Sequence, residues 1–116
     1  MNTGVLQAKL WYAQRISAMV LGLCVAIHLL IIFYAIRGGL SAQEILGRTQ
    51  GNVLFAIFYE VFVIACFIHA PIGVANILQE TFPRSGLARP LSWILALLIL
   101  AIGTSAVIGV FTGGQL

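Results

Sequence analysis

Charged side chains are scarce in this chain. Six Lys and Arg and three Asp and Glu make up only 8% of its 116 residues. A soluble domain of this length needs far more charge to cover its surface. With 61% of the residues hydrophobic, the composition excludes an ordinary soluble fold and points to a membrane protein. The length leaves room for little besides the spans, so a separate catalytic domain is not expected. Cysteine is almost as rare. Cys24 and Cys66 lie in apolar segments and form no CxxC pair, and no CxxCH occurs, so nothing supports covalent attachment of a c-type haem. Both read as small apolar packing residues. The net charge is +3, but there is no basic run, so no nucleic-acid partner is expected. The cations flank apolar segments, where they act as topology signals.

What the chain has is three long apolar runs. The spans are expected at about residues 16–36, 53–78 and 91–111, each near the roughly 20 residues a bilayer requires. The first is too long for an ordinary signal-peptide core, and no A-x-A-like site follows it, so it is read as a span. Arg37-Gly38-Gly39 stops it. In the connector, Ser41-Ala42-Gln43-Glu44 fits a capping box and predicts a short surface helix. Pro71 interrupts one hydrogen bond of the second span and predicts a local kink. On the third, Ala101, Ser105 and Gly109 form a small-residue row that would let another helix approach. The N-terminal lead and second connector carry Lys9, Arg15, Arg84 and Arg89; the first connector carries Arg37 and Arg48. That excess predicts a cytoplasmic N-terminus. The fold class is therefore all-α: a three-transmembrane-helix bundle forming one membrane-anchor domain over residues 1–116.

Polar residues inside the spans are few, which makes each one informative. An imidazole in hydrocarbon is costly unless it bonds a partner or a metal. His69, Gly73, Asn76 and Glu80 are spaced 4, 7 and 11 residues apart and share one helical face. A ligand, a residue without a side chain one turn on, and polar groups beyond would suit the wall of a flat cofactor. The bland alternative is a neutral His69 bonded to a carbonyl or hydroxyl on a neighbouring helix. His28 shares a face of the first span with Ser17, Leu21 and Cys24. Counted from the cytoplasmic ends of their spans, His28 lies roughly 18 Å and His69 roughly 13 Å deep, so both are expected near mid-membrane at similar depth. They could face one site or two cofactors, or only one could be a ligand. Glu60 falls on the face opposite His69, where it would snorkel, pair with a neighbouring subunit or stay protonated. Arg15 begins the first span. It reads either as a topology anchor or as a planar donor to a carboxylate or a quinone carbonyl.

Two motifs resemble those of a known family. Gln14-Arg15-Ile16-Ser17-Ala18 is similar to the His-Arg-x-Ser-Gly opening of the first span in the membrane-anchor cytochrome b subunits of succinate dehydrogenase and fumarate reductase (respiratory complex II). His69-Ala70-x-x-Gly73 followed by Glu80 resembles that family's His-x-x-x-Gly-then-acidic pattern in the second span. Three spans in this length fit the family as well.

The resemblance implies that His69 is an axial ligand of haem b, with Gly73 packing against the macrocycle. It also implies that Arg15 lies near a haem propionate and the quinone site. The second axial ligand would come from a second membrane-anchor subunit or a copy of this chain. Electrons would pass between a flavoprotein, an iron–sulfur subunit and quinone at the cytoplasmic face of a bacterial inner membrane. The chain departs from the family at Gln14, Ala18 and Trp11, the last standing where a quinone-site serine often lies. Ser17, Trp11 and Tyr12 are then the substitute quinone contacts, unless the partner supplies them. His28-Leu29 with Ala35-x-Arg37-Gly38 resembles the first span of dihaem anchors in the same superfamily, which would make His28 the ligand of a second haem. The competing readings are a haem-free anchor that docks the dehydrogenase and, further off, a small proton or solute transporter. The transporter would need a homo-oligomer, since the chain has no internal repeat.

Overall fold

The structure is a computed structural model that describes residues 3–114. The described residues form four helices: α1 (Thr3–Gly38), α2 (Ala42–Thr49), α3 (Val53–Thr81) and α4 (Ala88–Thr112). Among the described residues there is no strand. Helices α1, α3 and α4 are long and apolar enough to cross a membrane. Each contains one of the expected spans and extends beyond it. The largest extension is at the N-terminus, where the polar lead is not a separate element. From Thr3 on it belongs to α1, which at 36 residues is about 54 Å long.

Helix α3 is central. It packs against α1 on one side and α4 on the other. The buried side chains are small ones: Ser17 and Cys24 on α1, Ala65 and Pro71 on α3, and Ala88, Ala96 and Val107 on α4. The large side chains, including Leu54, Leu97, Trp93 and Ile102, point outward. A soluble bundle would do the reverse. In lipid, no hydrophobic drive separates Leu from its surroundings, so helices associate where small residues let backbones approach. At Gly103 α4 comes close against α3. A Cβ there would lie 2.7 Å from Val63 Cγ1. The expected row of Ala101, Ser105 and Gly109 is therefore not the face that meets α3. Ala101 and Ser105 are exposed, and nothing lies near Gly109. Helix α4 turns Ala96, Gly103 and Val107 inward instead, three residues on a face opposite that row.

The connector carries the capping box the sequence predicts. Ser41 Oγ accepts from the Glu44 N–H at 3.2 Å, and the Glu44 carboxylate accepts from the Ser41 N–H at 3.0 Å. The Ser41 hydroxyl also donates to Glu44 Oε2 at 2.8 Å. These bonds, led by the side-chain one, hold the Glu44 carboxyl below its ordinary value. Gly39, with φ of +113°, packs directly against that carboxylate, where no Cβ would fit. Arg48 Nη2 donates to the Gly39 carbonyl at 2.6 Å and ties α2 to the end of α1.

Carbonyls at a helix C-terminus lack intrahelical partners, and inside a membrane protein that need is acute. The segment after α2 meets it for α4. Thr49 Oγ1 donates to the Val110 carbonyl at 3.0 Å, the Gly51 N–H to that of Phe111 at 2.8 Å, and Gln50 Nε2 to that of Thr112 at 3.3 Å.

Candidate functional site

His69 lies half-buried where α3 meets α1, and its partner is on α1. Its Nδ1 is 3.3 Å from Ser17 Oγ. Ser17 is only 4% exposed, and its hydroxyl also donates to the Gln14 carbonyl at 3.1 Å, three residues earlier in its own helix. Both helices supply this contact for local reasons. Ser17 back-bonds to its preceding turn, a habit of serine inside helices, and Ala65, one turn from His69, is small enough to bring α1 close. Ser17 was expected among the quinone contacts. The structure gives its hydroxyl to Gln14 and His69, inside the bundle.

Gly73 also faces α1. A Cβ on it would come 3.3 Å from Gln14 Nε2, so the space that glycine leaves is taken by the Gln14 carboxamide. In the single chain, Gly73 thus serves the approach of α1 to α3. The Gln14 Oε1 atom is buried and has no hydrogen-bond partner. Gln14 stands out in the sequence only as a departure from the family's histidine. Its role in filling the space beside Gly73 emerges from the fold alone.

Trp11, Tyr12 and Arg15 form a separate, outward-facing patch. The Arg15 guanidinium sits over the Trp11 ring, 5.5 Å from its centroid, and Tyr12 meets Trp11 edge-on at 5.4 Å. Trp11 and Tyr12 are 59% and 62% exposed. These three residues are free to meet a ligand or another subunit; Ser17 is on a different face.

His28 belongs to another level of the bundle. Its ring meets Tyr59 and Phe62 edge-on, both at 5.7 Å, and its Nδ1 lies 3.5 Å from the Tyr59 hydroxyl. His28, Tyr59, Phe62, Cys66, Gly103 and Val107 line a largely apolar cavity of about 620 Å³. Tyr59 and Phe62 precede His69 by ten and seven residues on α3, about 15 and 10 Å along the helix. The two histidines therefore do not share a depth, as the spans suggest when their ends are aligned. Pairing Ser17 with His69 offsets the helices, because α1 extends far beyond its apolar run.

Glu60 points away from the His69 face, as its spacing requires, and accepts a 2.9 Å hydrogen bond from Thr104 Oγ1 of α4. Thr104 had no mark in the sequence beyond being a hydroxyl in a span. Among the described residues no three His, Cys, Asp or Glu side chains converge. The arrangement offers single imidazoles at two levels, each held by a hydroxyl, rather than a cage of ligands.

A bundle of three helices able to cross a membrane, with histidines held by hydroxyls inside it, is the fold of a multi-pass membrane protein. The family model for the succinate dehydrogenase/fumarate reductase transmembrane subunit matches residues 3–104, and the chain belongs to that family. No curated protein and no solved structure matches it. The chain is thus a transmembrane anchor subunit of a complex II-type assembly, and it associates with that assembly's other subunits.

Proposed function

We propose that this anchor binds haem b through His69 and lies on the electron path between the iron–sulfur subunit and quinone. The flavoprotein sits beyond that iron–sulfur subunit. The observation that carries the reading is the Ser17–His69 contact, which fastens the imidazole at a helix interface through Nδ1 and leaves Nε2 for a ligand. The imidazole fits the group as a donor, while the space beside Gly73 is filled by Gln14 in the single chain. One imidazole per chain suits bis-histidine ligation shared with a second anchor subunit or a second copy of this chain, and such ligation leaves no position open for oxygen. When bound, the haem supplies a one-electron station within the membrane.

The chain's own residues do the rest. His69 provides the ligand nitrogen, and α1 holds it in place. The Arg15 guanidinium provides donors for a propionate or a quinone carbonyl, and Trp11 and Tyr12 beside it offer ring surface for a quinone head group. His28 is the candidate ligand for a second haem, with Tyr59 at its Nδ1. Gly73 contributes by admitting Gln14 next to the ligand. The bilayer is the bacterial inner membrane, with the N-terminus cytoplasmic.

The test is a reduced-minus-oxidised visible spectrum of the purified assembly, with His69→Ala and His28→Ala variants. A b-type signal lost only in His69→Ala assigns one haem. Separate partial losses assign two. A wild-type assembly that copurifies with a flavoprotein and an iron–sulfur protein but lacks the signal is the haem-free anchor. That second reading draws on the same hydrogen bond, since a hydroxyl partner also satisfies a purely structural imidazole.

A further inference from the structure

We propose that Ser17 is a positioning residue that holds His69 in one tautomer, with Nδ1 protonated and Nε2 bare. Ser17 thereby selects the nitrogen presented to the iron. The inference rests on the haem reading above and deepens it. A serine hydroxyl has one hydrogen and two lone pairs. Ser17 Oγ lies 3.1 Å from the Gln14 carbonyl oxygen and 3.3 Å from His69 Nδ1. A carbonyl only accepts, so the 3.1 Å contact with Gln14 is a hydrogen bond only when the hydroxyl hydrogen lies there, and we assign the hydrogen to this shorter contact. Toward the imidazole the hydroxyl then offers lone pairs alone, and the hydrogen between Oγ and Nδ1 belongs to the ring. A neutral imidazole carries one N–H, so Nε2 keeps its lone pair.

Burial keeps this pair of contacts closed to other partners. Ser17 is 4% exposed, so no solvent competes for its hydroxyl. An acceptor at the far ring nitrogen fixes the orientation of a ligating histidine and raises its basicity, and partners of this kind are worth 10–100-fold in metal affinity or activity. Helix α1 thus sets the ligand that α3 carries. A more basic imidazole favours ferric over ferrous iron, so losing the acceptor raises the midpoint potential.

The experiment compares the assembled complex carrying wild-type Ser17, Ser17→Thr and Ser17→Val. Threonine and valine have the same shape and differ by the hydroxyl. Ser17→Thr is expected to keep haem content and midpoint potential. Ser17→Val buries an N–H without an acceptor. There the preference for ferric iron falls about tenfold, about 59 mV more positive for a one-electron couple, or haem is lost while the threonine variant retains it. A valine variant with wild-type haem content and potential overturns the proposal. So does equal loss in both variants, which assigns the role of Ser17 to its size. ¹⁵N-histidine labelling gives a readout independent of haem. A wild-type His69 carrying its hydrogen on Nε2 overturns the tautomer assignment, whereas a wild-type complex without a b-type spectrum and with Nδ1 protonated overturns only the haem reading.

Discussion

Gly103 of α4 faces Val63 of α3 so closely that a Cβ on the glycine would sit 2.7 and 2.8 Å from the two valine methyl carbons. Valine is stiff at χ1 in a helix, so its methyls cannot swing aside and the helices must part. Gly103→Ala is expected to destabilise the bundle by about 1–3 kcal/mol, the usual cost of overpacking. Gly109→Ala, where nothing lies within 4 Å, serves as the neutral control. Unfolding in mixed micelles measures both, and Val63→Ala should restore part of the loss in the double variant. Equal stabilities for the Gly103 and Gly109 variants would refute the close approach.

The Thr104 hydroxyl and the Glu60 carboxyl join α4 to α3 at 2.9 Å within the membrane. Measured interhelical hydrogen bonds in lipid average about 0.6 kcal/mol and reach about 1.7 kcal/mol. Thr104→Val should lose an amount in that range, while Thr104→Ser and Glu60→Gln keep donor and acceptor and stay near wild type. The same unfolding measurement decides it. A Glu60→Gln variant as weak as Thr104→Val would mean that Glu60 has a different principal partner.

The connector helix α2 should respond to acid. Bonds from the Ser41 hydroxyl and backbone lower the Glu44 carboxyl from its ordinary 4.5 in the folded protein. The unfolded connector therefore takes up a proton first as pH falls. The contribution of Glu44 is complete above about 4.5 and is lost as pH drops through the lower folded value. Amide exchange at Ser41 and Glu44 in a detergent-solubilised sample should quicken over that window, and Glu44→Gln should abolish the pH step. Exchange that is flat with pH in the wild type would contradict the capping box.

Several features were legible in the residues because they are local. The three spans follow from unbroken hydropathy, the α2 cap from Ser41 and Glu44 three residues apart, and the opposed faces of His69 and Glu60 from helical periodicity. The His69 motif and the opening motif around Arg15 led to the right family. What was not legible concerns pairs of helices. Nothing near Ser17 in the chain points to His69, which lies 52 residues away, or distinguishes that meeting from a quinone contact. The row of Ala101, Ser105 and Gly109 was as plausible a packing face as the one that carries Gly103.

The sequence alone determined that this chain crosses a bilayer three times, which residues share each helical face, and where the short capped helix begins. Only the tertiary structure decided the register: Ser17 level with His69, Tyr59 level with His28, and Gly103 against Val63. The reason is the solvent. Lipid rewards apolar side chains equally on every face of a spanning helix, so partner faces and offsets are chosen by where small residues and a few polar groups fit together, and that fit exists only once two helices meet.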